Sequence, residues 1–143
     1  MYDFGMGMVP AHQHTNPDGS VGGWVAETAT VAPTVYVSGD ARIFGDAWVS
    51  NNTRVSDNAR VSGNAWVSDN ARVSGNAWVS GYAWVSGDAR IFGDARVSDN
   101  ARVSGNAWVS GYAWVSDNAW VSGDARVSYA WVSGDAWVSG DAL

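Results

Sequence analysis

The 143-residue sequence contains no cysteine, no lysine, only three prolines and only two histidines. Without cysteine, disulfide frameworks, thiolate nucleophiles and cysteine-ligated zinc are excluded. Without lysine, the eight basic residues are all arginine, and against fourteen acids they leave a formal charge of −6. That balance removes the bulk basic footprint by which a protein grips nucleic acid phosphates. Long apolar runs are missing as well: a membrane-spanning helix needs about 20 apolar residues, and no stretch approaches that length. The N-terminus lacks the basic-then-apolar pattern of a secretory signal. The expectation is therefore no nucleic acid partner, no membrane and no recognised signal peptide, in a chain the size of one domain.

What is abundant is periodic. From Val25 onward an aliphatic residue returns every six positions, through Val31, Val37, Ile43, Val49, Val55 and Val61 to Val127, and the step resumes at Val132 and Val138 after one five-residue unit. That unit, Val127-Ser128-Tyr129-Ala130-Trp131, matches Val109-Ser110-Gly111-Tyr112-Ala113-Trp114 less its corner glycine. If Ala-Trp/Arg-Val-Ser is a short strand, side-chain alternation puts Ala and Val on one face and Trp or Arg with Ser on the other. All eight arginines and ten tryptophans occupy the residue before the aliphatic one, and unpaired guanidiniums cannot line a core. Trp and Arg therefore point outward, and Val and Ala fill a narrow interior. Pairs such as Gly63-Asn64, Asp69-Asn70 and Gly75-Asn76 supply corners that tolerate a left-handed backbone. Such frequent corners and Val-Ser pairs exclude a helix, and strands this short cannot stabilise a hairpin meander. A chain that stacks coil on coil pairs each strand with its equivalent one turn later.

Units such as Val55-Ser56-Asp57-Asn58-Ala59-Arg60 resemble the hexapeptide repeat of left-handed parallel β-helix proteins. The likeness runs through about twenty units over some five-sixths of the chain, and its aliphatic, small, turn and small positions all match. It implies an all-β, single-domain parallel β-solenoid, a triangular left-handed β-helix with about 18 residues per coil. The hand is implied by the resemblance alone, since right-handed crossovers are the general preference. The expected organisation is an N-terminal cap or arm over residues 1–24 and a solenoid over 25–143.

Eighteen residues per coil sorts the outward positions into three ladders. One carries Thr30, Trp48, Trp66, Trp84, Arg102, Trp120 and Trp137; a second carries Tyr36, Arg54, Arg72, Arg90, Trp108 and Arg126; the third mixes Trp24, Arg42, Arg60, Trp78, Arg96, Trp114 and Trp131. Stacked aromatic rungs can be structural, each ring covering the next. Five tryptophans on one face also make an apolar surface larger than a monomer usually leaves bare, so Trp48, Trp66, Trp84, Trp120 and Trp137 are interface or ligand-stacking candidates. Because members of the resembled family form trimers through such faces, the expected partner is a second copy of the chain, in a trimer or an end-to-end filament. A polysaccharide stacked on the rings is the alternative. Arg54, Arg72, Arg90 and Arg126 are candidates for a polyanion. Against that stands a solvated network with the eleven acids from Asp40 to Asp141, which occupy the corners. Calcium-binding solenoid spacing is absent from the units.

Many proteins of the resembled family are acyltransferases that use a coenzyme A or carrier thioester and a histidine base. This sequence departs from them: its repeats hold no histidine and no excursion loop, and no helical segment follows them. The only histidines, His12 and His14, lie before the repeats and are the sole candidates for metal ligands; no metal and no cofactor are expected. The Tyr2, Phe4, Met6 and Met8 segment is expected to cover an open coil end, while Ala142-Leu143 leaves the other in mid-repeat, open to end-to-end strand addition. The function expected is a non-enzymatic, self-assembling rod or fibre element. The rivals are a glycan- or polyanion-binding module and a diverged acyltransferase.

Overall fold

The computed structural model describes residues 2–5 and 7–139. It is all-β: stacked coils of three short strands each, with one strand starting every six residues from Thr30–Val31 to Trp137–Val138, apart from a single five-residue step at Arg126–Ser128 to Trp131–Val132. The strands of the coils assort into three sheets of six to eight members, parallel apart from one antiparallel N-terminal strand, with equivalent strands of neighbouring coils bonded to each other. Among the described residues no helix is long and apolar enough to cross a membrane.

The register follows the repeat. Arg60 lies opposite Trp78, Trp66 opposite Trp84, and Arg72 opposite Arg90, so every strand meets its equivalent eighteen residues later. Across the five-residue unit the separation falls to seventeen while equivalent rungs still pair, Trp114 with Trp131 and Trp120 with Trp137. Tyr129 takes the left-handed corner position there, at φ 53°. The expected four-residue strands are shorter as ladders, most of them Trp-Val or Arg-Val alone. Hydrogen bonding nevertheless runs over the whole unit: Trp66 N–H donates to Ala83 O at 2.9 Å, Ser68 N–H to Val85 O at 2.9 Å, and Asn64 N–H to Gly81 O at 2.8 Å.

Inside is one continuous column of Val and Ala, with Ile43 and Ile91 its largest fully buried members. Small β-branched side chains fit because the three walls leave room for little else. Thr53 replaces an alanine in this column; it is fully buried and donates to Ser50 O at 2.7 Å, which satisfies its hydroxyl.

From Gly39 onward each corner holds one residue with φ near +60°: glycine, as at Gly63, Asn or Asp, as at Asn51, Asp57, Asp69, Asp99 and Asp117, or Tyr129 in the shortened unit. The aspartates repay the strain locally. Asp57 Oδ2 accepts Gly75 N–H and Asp69 Oδ2 accepts Gly87 N–H, each at 3.1 Å, so a corner carboxylate ties its coil to the next.

The N-terminal residues close one end of the column. Strand β1 (Tyr2–Asp3) pairs antiparallel with β2 (Met8–Val9), and β3 (Ala11–Thr15) pairs antiparallel with β4 (Val21–Ala26). In turn β4 joins the parallel sheet through Trp24 and Val25, so the chain passes from arm to solenoid within one strand. The apolar β1–β2 hairpin lies on the outer surface of the sheet, not across the coil end as its composition suggests. Tyr2 stacks on Trp24 at 4.8 Å and 17°, and Phe4 on Phe44 at 5.0 Å and 19°. Phe44 stands where the repeat has serine, which gives Phe4 a ring to rest on.

The coil end is covered instead by polar groups and bare backbone. Buried His14 donates from Nε2 to Val35 O at 2.7 Å, and Asn16 Oδ1 accepts Val37 N–H at 2.9 Å. Gly22 and Gly23 press against the first coil so closely that an added Cβ would lie 2.1 Å from Val37 O or 2.2 Å from Ala41 O. Between β3 and β4, Asp18 accepts both the hydroxyl and the amide of Ser20. Those two donors, the hydroxyl first, hold its carboxyl below the ordinary range. The unfinished end expected at Ala142-Leu143 lies outside the described residues.

Candidate binding faces

All three outward ladders are in the register their spacing requires. On the Trp face, Thr30, Trp48, Trp66, Trp84, Arg102, Trp120 and Trp137 are successive rungs. On the Arg face the rungs are Tyr36, Arg54, Arg72, Arg90, Trp108 and Arg126.

The tryptophans of the Trp face do not stack flat. Trp48 meets Trp66 at 5.4 Å and 79°, and Trp66 meets Trp84 at 5.1 Å and 85°. Trp120 meets Trp137 at 5.0 Å and 83°. Edge-to-face packing sets each ring's positive rim against its neighbour's negative face, the favoured geometry for aromatic pairs. Arg102 interrupts the series and is held by both sides, 5.1 Å from the Trp84 ring and 5.3 Å from the Trp120 ring. Trp48, Trp66 and Trp84 remain 39–49% exposed despite their mutual contacts. With Ser50 and Ser68 they line a shallow, largely apolar groove of about 320 Å³. The five candidate tryptophans therefore form two groups, three rings and two rings, with a cation between. Within the second group the indole N–H of Trp120 is buried without a partner, whereas Trp78 and Trp114 on the mixed face donate to Ser62 and Ser98.

The arginines behave otherwise than the corner acids suggest. Among the described residues the only ion pair is His12 with Glu27, at 2.6 Å. Among the described residues no arginine reaches a carboxylate. Most instead rest on rings of adjacent rungs: Arg54 over Tyr36, Arg60 over Trp78, Arg90 and Arg126 over Trp108, and Arg96 against both Trp78 and Trp114. The expected Arg–Asp network is absent because corner carboxylates are directed along the axis. There they accept from amides of the neighbouring coil, as in Asn76 to Asp94 at 3.0 Å and Asn106 to Asp124 at 3.1 Å. Arg72 is the exception, with neither a ring nor a carboxylate.

His12 and His14 are two residues apart on β3 but serve separate partners. His12 is half exposed and bound to Glu27, while His14 is buried with Nε2 committed to Val35 O. The described residues hold no cluster of three or more metal-ligating side chains.

Repeating two-residue corners, a register of eighteen and a Val-Ala column together define the coils. Five overlapping segments match the YdcK beta solenoid repeat. They span residues 54–87 and 95–117, about two-fifths of the chain, and include Trp66, Trp84, Arg54 and Arg72. No curated protein matches the chain. The likeness to that repeat supports the β-solenoid and leaves open what its faces meet.

Proposed function

We propose that this β-solenoid is a non-enzymatic structural element that associates with further copies of itself through the Trp face. The groove of Trp48, Trp66 and Trp84 carries the reading, because it leaves three large rings partly bare on a rigid, regular wall. A second copy is the partner whose rungs repeat at the same interval, so contacts made at one rung recur at all of them. Near-identical coils also leave no unique place for a catalytic constellation. Both histidines lie in β3, outside the coils, and one already serves the backbone.

The size of the face sets the strength. Seven rungs at about 4.8 Å and a wall about four extended residues wide give a footprint of roughly 400 Å² per copy. A stable pair buries about 800 Å² per partner. One Trp-face contact is therefore weak, and larger particles need a second face or many parallel contacts acting together. Sedimentation velocity over a hundredfold range of concentration tests this. The expected result is a reversible rise in mass that Trp66→Ser with Trp84→Ser abolishes while circular dichroism stays unchanged. A wild-type chain that remains monomeric throughout overturns the proposal.

A further inference from the structure

A different surface carries a second, independent inference. Over much of the solenoid wall the exposed groups satisfy one another: most arginines rest on rings, and several corner amides bond corner carboxylates of the neighbouring coil. Two interruptions of this pattern coincide. Arg72 lies between Arg54 and Arg90 on the Arg face, and each of those has an aromatic rung beyond it, whereas Arg72 has like charge on both sides. Direct like-charge neighbours in a ladder are destabilising unless something else compensates them. Beside the same rungs runs a corner column of Asn52, Asn70, Asp88, Asn106 and Asp124. Asn52 donates to Asn70 at 3.4 Å and Asn106 donates to Asp124 at 3.1 Å, but Asp88 between them bonds to no side chain.

These groups line one open groove of about 400 Å³, formed by Asn70, Arg72, Asp88, Arg90, Asn106 and Trp108. Trp108 is held at its upper end between Arg90 and Arg126, with Phe92 against its ring at 5.6 Å and 83°. The groove thus offers guanidinium forks at successive rungs, an amide and a carboxylate free for hydroxyl groups, and an aromatic ring. A polyphosphate would use only the first of these, because it carries no hydroxyl to donate to the Asp88 carboxylate and offset the repulsion between like charges.

We infer that the Arg face is a binding groove for a linear acidic polysaccharide, a polyuronate with one carboxylate on each sugar. Carboxylates on the side of the sugar chain that faces the wall meet the row of Arg54, Arg72 and Arg90, whose rungs rise by about 4.8 Å each. Each guanidinium presents two parallel N–H groups to a carboxylate, the geometry of the strongest charge-assisted pairs. Asn70 and Asp88 take ring hydroxyls, and Trp108, sandwiched between Arg90 and Arg126, bounds the upper end of the groove. The row also opposes the chain's net charge of −6, so it is a local attraction on a generally anionic molecule.

Titration calorimetry of the full chain with hexagalacturonate at low salt tests the inference, with a neutral cello-hexaose and a short polyphosphate as the other arms. Hexagalacturonate should bind, the neutral sugar should not, and polyphosphate should bind at least tenfold more weakly. Arg72→Gln should lower hexagalacturonate affinity about tenfold or more. Arg60→Gln, on another face, should leave it unchanged, as should the Trp66→Ser, Trp84→Ser pair used to block self-association. Arg72 makes no side-chain hydrogen bond, ion pair or ring contact, so its replacement tests binding with little effect on the fold. Undiminished affinity in Arg72→Gln, equal binding of the neutral sugar, or equal binding of polyphosphate each overturns the inference.

Discussion

Replacing Val67 by aspartate tests the inward and outward assignment on which both faces depend. Val67 is fully buried, between Val49 and Val85 in its ladder. No cation lines the column, so an aspartate placed there must take up a proton or open the coil. Starting from a carboxyl pKa of about 3.9, keeping the proton at pH 7 costs about 4 kcal/mol, at roughly 1.4 kcal/mol per unit. A buried hydroxyl without a partner adds about 1–3 kcal/mol. The total, about 5–7 kcal/mol, is comparable with the whole folding free energy of a domain. The sign with pH follows from proton counting. The folded-state pKa is raised above the unfolded value, so above about pH 4 the unfolded chain binds fewer protons than the folded one. Stability of Val67→Asp should therefore fall by about 1.4 kcal/mol per unit from pH 4 towards pH 7, relative to wild type at each pH. Val67→Asn should be destabilised without that slope, and Ser68→Asp, one residue along and outward, should stay within about 0.5 kcal/mol of wild type. Urea unfolding followed by circular dichroism at several pH values reads all three. Equal midpoints for Val67→Asp and Ser68→Asp would falsify the assignment, and a deficit independent of pH would show that the carboxyl reaches water.

The coil end and the corners give sharper local tests. Asn16→Ala leaves the buried N–H of Val37 without an acceptor and should cost about 1–3 kcal/mol, seen as faster amide exchange in the first coil while central coils keep their protection. Unchanged exchange at Val37 would mean that the end is not closed by this side chain. Asp69 holds φ 63° and accepts Gly87 N–H. Asp69→Ala loses both the tolerance and the acceptor and should cost about 1–3 kcal/mol in a urea melt. Asp69→Gly, which keeps the backbone freedom, should cost less, and the reverse order would contradict the corner account.

The interior and the ladders were legible from the sequence because two periods meet in it. Alternation along a strand assigns Val67 and Trp66 to opposite faces, and a step of six taken three times puts Trp66 under Trp84 and Arg72 under Arg90. Left-handed corners were legible too, since few residues other than Gly, Asn and Asp recur where φ is positive. Two features were written in departures from the repeat. Phenylalanine in place of serine at Phe44 marks where Phe4 docks, and Gly22-Gly23 within a strand marks a close backbone approach.

Residue order alone determined which side chains face outward and which rung lies above which, because those are consequences of spacing. Only the tertiary structure decided what each outward group meets. The corner residue turns its side chain along the axis, so Asp57 and Asp69 spend their carboxylates on amides of the next coil and leave the arginines to the rings. That direction is a property of the left-handed corner in three dimensions, and no count of charges contains it. The N-terminal closure belongs to the same class: His14 reaches Val35 and Asn16 reaches Val37, each twenty-one residues away, through contacts that no repeat specifies. Arg72 shows both halves at once, placed between Arg54 and Arg90 by period and left without a partner by packing.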